Sequence, residues 1–420
     1  MTAPEVSQRK AWVGSVELES AAYESHGMNT RGRARSVGHR LAMLAVLAVA
    51  ACSARDPTVD GVGEELDPAL VADGREIFRH DTYGNEVFWG DTLRLHEVIA
   101  QAVDPGTALA VGLRVDADAL PDGLLETADL SDPATTVALL RLDAVVGVQG
   151  TFDEDGTLTH VGITCALCHS TVDNSVRPGV GRRLDGWPNR DLDVGAIVAL
   201  SPVLDSATKA VYSSWGPGMY DARFNIDGLN DPTTIPPAYG LRSVDLETYT
   251  GEGEVSYWNA YVAVTQMHGR GSFSEPRLGI DVTASPDLVT PKLAALLEYQ
   301  MSLEAPVPPA GSFDPAAAER GRIVYEGDAR CAACHVPPTF TDDETLHAPS
   351  ETGMDPVHAQ RSTTKRYRTT PLAGAWQHPP YFHDGSAASL RDVVDHYDAF
   401  FGLSLSEAQK NDLVEYLKSL

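Results

Sequence analysis

Two pentapeptides of one form, Cys165-Ala166-Leu167-Cys168-His169 and Cys331-Ala332-Ala333-Cys334-His335, constrain this chain more than anything else in it. Apart from Cys52, every cysteine lies in one of them. In a CxxCH frame the two thiols stand one helical turn apart and can form thioethers with both vinyl groups of one porphyrin. The histidine that follows brings an imidazole to the iron. Zinc is the first rival. A structural zinc site usually pairs two CxxC units roughly 15–20 residues apart, and here the second frame comes far later. Two redox-active disulfides are the second rival, and they leave both following histidines unexplained. The frames therefore predict two covalently bound c-type haems, attached at Cys165, Cys168, Cys331 and Cys334, with His169 and His335 as proximal iron ligands.

Haem is attached to such frames outside the cytoplasm, and the N-terminus predicts export independently. Arg31, Arg33, Arg35 and Arg40 lead into the apolar run LAMLAVLAVAA from Leu41 to Ala51, which ends at Cys52. A basic stretch, a short apolar core and small residues before the break describe a secretory signal. Val49-Ala50-Ala51-Cys52 resembles the lipobox of bacterial lipoproteins, which implies cleavage before Cys52 and a lipid on its sulfur. A plain signal-peptidase site with an incidental cysteine is the alternative. Residues 1–51 are thus read as the signal region, with Met28 as the expected true start, and 52–66 as a linker. No other apolar segment approaches the roughly 20 residues that cross a bilayer. The expected mature chain is a soluble body tied by its lipid to the periplasmic face of a bacterial membrane, with the outer membrane favoured.

Lys and Arg number 32 against 59 Asp and Glu, a formal charge of -27. Such a surface disfavours nucleic acid as a partner. It would attract a small basic redox protein, although acidity is common among exported proteins whatever they bind.

A repeat marks the domains. DPALVADGREIFRHD from Asp67 aligns without gaps on DPAAAERGRIVYEGD from Asp314, and LLEYQMSL from Leu296 aligns on LVEYLKSL from Leu413. Each unit reads as opening helix, CxxCH, middle region and closing helix. In the second unit Ser406 and Gln409 form a capping box ahead of an apolar stripe of Leu413, Val414, Leu417 and Leu420. This order resembles the cytochrome c fold. The expectation is a mainly α protein of two tandem class-I cytochrome c-like domains, 67–304 and 314–420, joined by a Pro-rich linker at 305–313. The first domain carries an insertion over about residues 82–160, with helix-like TLRLHEVIAQAV and ATTVALLRLDAVVGV and a hairpin-like TFDEDGTLTHVGI. Its role is not evident from sequence.

Thr369-Thr370-Pro371-Leu372, then Pro380-Tyr381-Phe382-His383-Asp384-Gly385-Ser386 and SLRDVVDHY, complete the pattern. With them the chain resembles the bacterial di-haem cytochrome c peroxidase and MauG superfamily, well over 315–420 and loosely over 160–420. The rubber oxygenases form a neighbouring branch. The resemblance implies a di-haem oxidoreductase with one haem for electron storage and one open to peroxide or oxygen, and often a calcium ion between the domains. The alternative is a purely electron-carrying cytochrome with two six-coordinate haems.

The sixth ligands decide between these readings. Where peroxidases of the superfamily place a Met at the C-terminal haem, this chain has Tyr397 beside His396. Tyr397 approaches the MauG pattern, and His396 would give bis-His ligation. For the first haem Met267 is favoured, with neighbouring His268 and Met219 as alternatives; Met301 reads as core. His383 and Tyr397 are the candidate catalytic residues, although a turn histidine can equally hold loop carbonyls. Arg183 and Arg368, with Arg182, Arg190 and Arg366 nearby in sequence, are candidate partners for haem propionates, because a guanidinium pairs bidentately with a carboxylate. Trp187, Trp215 and Trp258 are candidate relays between the haems.

Overall fold

Asp67 and Asp314 start the two helices that the repeat predicts. The Asp67 carboxylate accepts a hydrogen bond from the Ala69 N–H and Pro68 fills the first turn, so Pro68–His80 begins with an otherwise orphaned donor satisfied. Asp314 does the same for Pro315–Glu326, accepting from the N–H groups of Ala316 and Ala317. The structure, a computed structural model, describes residues 65–242, 244–342 and 345–420. The signal region, Met28 and Cys52 lie outside the described residues.

Each opening helix crosses a closing helix, Leu293–Ser302 for the first and Glu407–Lys418 for the second. The contacts repeat as the sequence does. A Cβ on Gly74 would stand 1.9 Å from the Ala295 carbonyl oxygen, and one on Gly321 2.0 Å from that of Asp412. The shared Gly-Arg pair therefore marks the point where two helix backbones touch. Phe78 and Tyr325 occupy the same place in the repeat, and both are fully buried. Phe78 meets Tyr299 edge-on at 5.4 Å and Tyr325 meets Tyr416 at 5.1 Å. The aligned Glu298 and Glu415 accept from the backbone N–H of Asp67 at 2.6 Å and of Asp314 at 2.7 Å. The capping box of Ser406 and Gln409 forms, and Leu413 and Leu417 of the expected stripe are buried.

The 82–160 stretch contains the elements read from its sequence. Leu95–Ala102 and Pro133–Arg141 are helices, and Val148–Phe152 pairs antiparallel with Leu158–Ile163. Its apolar residues Trp89, Leu95, Leu139 and Leu158 share one core with Leu167 of the first CxxCH and with Val194 and Val198 beyond it. Strands occur among the described residues only as two-stranded pairs, so the fold is helix-rich. The second frame has its own core, in which Tyr325, Leu390, Val394 and Leu413 pack beside Cys331.

Residues 66–420 pack as one compact unit, and the chain between Ser302 and Pro315 holds no helix or strand. One tie across this unit is ionic. Arg361 reaches Asp221 through both terminal nitrogens at 2.9 and 3.0 Å, and Asp227 through Nε at 2.8 Å. It also donates to the carbonyl oxygens of Leu229 and Asp231. Arg361 and Asp221 are both buried. Removing one member of a buried pair strands the other's charge, at about 3–5 kcal/mol. Arg361→Met should lower unfolding stability by that amount in a denaturant titration, and a loss below about 1 kcal/mol would show that the network is solvated.

Candidate functional site

The first frame ends the hairpin. Leu158–Ile163 leads into the single turn Ala166–His169, where Ala166 and Leu167 are buried and anchor the two cysteines. Burial pushes the thiols up, Cys165 to about 11 and Cys168 to about 12, so both are protonated at neutral pH. All four cysteines of the two frames are free thiols. A cavity with mostly apolar walls opens against Cys165, Cys168 and His169. Trp89, Leu95 and Ile99 of the 82–160 stretch form part of its wall, and Trp258 and Met267 another part. The stretch whose role was opaque in sequence is thus a side of the first site.

His169 Nδ1 lies 3.1 Å from the Pro236 carbonyl oxygen. A carbonyl can only accept, so Nδ1 carries the proton and Nε2 keeps its lone pair. Burial holds the His169 pKa down at about 4, leaving the ring neutral. The second frame reproduces this arrangement. His335 Nδ1 donates to the Phe340 carbonyl at 3.0 Å, burial lowers its pKa, and its backbone carbonyl accepts from the Tyr325 hydroxyl at 2.5 Å. A neutral imidazole with one nitrogen fixed by a backbone carbonyl and the other free is the form a metal ligand requires.

Around the second frame the structure separates two neighbours. Tyr397 lies on Leu390–Phe401, and burial together with the facing Cys331 and Cys334 holds its hydroxyl above the ordinary tyrosine range. His396 turns its Nε2 to the Thr352 carbonyl at 3.1 Å and stacks on Phe400. The phenyl ring of Phe382 lies against both, 5.9 Å from Tyr397 and 5.0 Å from His396 between centroids.

Other candidates fall in distinct places. Met267 borders the first cavity, while His268 stacks on Phe88 at 3.5 Å. Met219 pairs with Thr234 in a short ladder, and Met301 sits in the closing helix. His383 is buried. Its backbone carbonyl accepts from Thr234 N–H at 2.7 Å and its Nε2 lies 3.1 Å from the Tyr367 hydroxyl. Residues 234–236 therefore touch His169 of the first frame and the YFHDG motif at once. His383 does not border the cavity; His358, whose ring stacks 5.7 Å from it, does. Nothing in the sequence around His358 marked it.

The arginines differ in what already neutralises them. Arg183 lies 3.7 and 3.9 Å from the carboxylates of Asp185 and Asp116. Arg368 pairs with Glu247 at 3.2 Å. Arg182 holds Asp173, and Arg366 is exposed. Arg190 has buried Nε and Nη1 atoms with no hydrogen-bond partner, near His378, whose Nδ1 is also unpartnered. Trp187 meets Trp376 edge-on at 5.9 Å across the Pro-rich segment, while Trp215 donates to Asn230 and packs with Tyr220 and Phe224. The carboxylates of Asp221, Asp227 and Asp231 converge on Arg361. Cys334, Asp342 and His347 bring their ligand atoms within 4.8 Å of one another, and the thiol of that group belongs to the second frame.

Among known proteins, the chain is 33% identical over 153 residues to the methylamine utilization protein MauG of Methylorubrum extorquens, covering 31% of this chain and 43% of that protein. It is 28% identical over 125 residues to MauG of Methylophilus methylotrophus, covering 24% and 36%. The chain thus spans less than half the length of these curated relatives. No family model matches it. Solved structures with partial likeness include the hydrazine synthase of Kuenenia stuttgartiensis, at 19% identity and TM-score 0.33 over 45% of this chain and 73% of that one. A MauG-like protein associated with microbial copper homeostasis gives 19%, 0.32, and the same 45% and 73% coverage. A variant of the di-haem peroxidase BthA of Burkholderia thailandensis gives 13% and 0.28 over 84% and 86%. The sequence relatives agree with the resemblance to the di-haem cytochrome c peroxidase and MauG superfamily drawn from the motifs.

Proposed function

We propose that this chain is a peroxidase-like di-haem oxidoreductase that holds one covalent haem c at each CxxCH frame. The observation that carries the reading is the duplicated histidine: His169 and His335 are both half-buried, both neutral and both fixed through Nδ1 to a backbone carbonyl, each beside a pair of free thiols. The apolar cavity against the first frame and the unpartnered guanidinium atoms of Arg190 also suit the group, which has an apolar ring and two carboxylates. Bound there, haem iron would supply one-electron redox chemistry.

In this reading Cys165 and Cys168, and Cys331 and Cys334, form the thioethers, and His169 and His335 are the proximal ligands. Tyr397 is the sixth ligand at the second frame. The first frame is the reactive one, with Met267 as cavity wall, and Arg190 takes the propionate role in preference to Arg183 and Arg368, whose charges are met by carboxylates. The two frames define tandem cytochrome c-like domains, 67–304 and 314–420, with 82–160 inserted in the first. The signal before Cys52 sends the chain to the periplasm, where a lipid on Cys52 anchors it and a small redox protein exchanges electrons with its acidic surface.

The test is a visible and EPR spectrum of the purified protein before and after hydrogen peroxide. One high-spin and one low-spin haem, with the high-spin signal altered by peroxide, is expected. Two low-spin haems indifferent to peroxide would instead identify an electron carrier.

A further inference from the structure

After the second frame the chain folds back on it and is pinned there. The Phe340 carbonyl accepts from His335 Nδ1 at 3.0 Å, and the hydroxyl of buried Thr341 donates to the Thr369 carbonyl at 2.7 Å. Asp342 comes next. Its carboxylate, the Cys334 Sγ and a His347 ring nitrogen all lie within 4.8 Å of one another. The short ladder of Leu346–His347 with Tyr367–Arg368 places His347, whose Nε2 lies 2.9 Å from Asp342 Oδ2.

Such a trio could ligate a metal only while Cys334 keeps an ionisable thiol. In the proposed haem-bound chain that sulfur is a thioether, and what the trio then offers is the carboxylate charge. Little screens that charge. The Asp342 side chain is 14% exposed, its Oδ1 is shielded from solvent without a hydrogen-bond partner, and among the described residues its one ion-pair partner is His347. A buried carboxylate oxygen left unpaired is uncommon and calls for a cause. The charge is felt at the frame, where burial first and Asp342 second push the Cys334 thiol up. The first frame is built otherwise. Asp81 stands near Cys165, but Lys292 pairs with it at 2.5 Å.

We propose that Asp342 sets the reduction potential at the second frame: its carboxylate, fixed beside Cys334, favours the ferric state of the haem held there and lowers that haem's midpoint without moving the first. Reduction adds one electron to the haem, and a weakly screened negative charge nearby opposes it. The inference rests on the proposed haem at the second frame.

Asp342→Asn keeps the shape of the side chain and removes its charge. The test is a spectroelectrochemical titration of the full haem-loaded chain, with the second haem identified as the signal missing from a Cys331→Ser, Cys334→Ser double variant. At a fixed applied potential Asp342→Asn should raise the ferrous-to-ferric ratio of the second haem roughly tenfold, an upward midpoint shift of about 59 mV for one electron, and leave the first haem as in the parent. His347→Gln keeps the carboxylate and a donor for it, and should leave both midpoints in place. A second midpoint unchanged by Asp342→Asn would overturn the proposal, and so would an equal shift of both haems, which a local charge cannot produce. A downward shift in His347→Gln as large as the upward one in Asp342→Asn would overturn it too, because a cationic ring would then be cancelling the carboxylate. Failure of the underlying reading has another signature: mass spectrometry of the parent finds no haem on the peptide of Cys331 and Cys334.

Discussion

Gly321→Ala is expected to cost at least about 3 kcal/mol of unfolding stability, at or beyond the upper end of ordinary overpacking. The added methyl carbon would lie 2.0 Å from the Asp412 carbonyl oxygen, and backbone cannot rotate away as a side chain can. The helices Pro315–Glu326 and Glu407–Lys418 must separate, which loosens Tyr325 against Tyr416 and the hydrogen bond from Asp314 N–H to Glu415. The sign makes the test sharp. In a helix with room to spare, alanine is more favourable than glycine by roughly 0.8–1.0 kcal/mol. A urea titration followed by far-UV circular dichroism that found the variant unchanged or stabilised would falsify the tight crossing. Gly74→Ala should behave alike, because its methyl would meet Ala295 in the same way.

This crossing also shows what the sequence could reveal. Caps and helix periodicity are local, so Asp67, Asp314, Ser406 and the stripe of Leu413 and Leu417 were readable where they stand. The repeat went further, because two copies of one packing problem kept the same residues at the same offsets. Gly74 with Gly321 and Glu298 with Glu415 were visible as matches before their contacts were known.

What stayed hidden depends on pairs distant in sequence. Arg361 meets Asp221 at a separation of 140 residues, and no local pattern around either announces the other. Trp89 and Leu95 lie in the insertion, whose role was not evident from sequence. They are core residues, and the same apolar surface also borders the cavity at Cys165. Among the arginines, sequence gave no way to see that all three keep a buried guanidinium nitrogen without a hydrogen-bond partner, while Arg183 and Arg368, unlike Arg190, also face carboxylates. His358 is the extreme case, a lone histidine on the one-turn helix Val357–Gln360 that only the folded chain brings beside the His383 ring and the cavity.

Tyr397→Phe is expected to convert the second haem from six- to five-coordinate while leaving the first unaltered. A phenol oxygen is the only group this substitution removes. Tyr397 is the neighbour whose side chain faces Cys331 and Cys334, and His396 already spends Nε2 on the Thr352 carbonyl. His396→Ala should therefore leave the iron's spin state intact and loosen only the contact to Thr352. Axial ligands set haem potentials over a span of about 0.8 V, so loss of the tyrosine should move the second haem by on the order of 100 mV, upward because an anionic donor that favours ferric iron is gone. EPR and a spectroelectrochemical titration of both variants decide the matter. If His396→Ala changes the spin state and Tyr397→Phe does not, the ligand is histidine, and the hydrogen bond to Thr352 must break when the iron is bound.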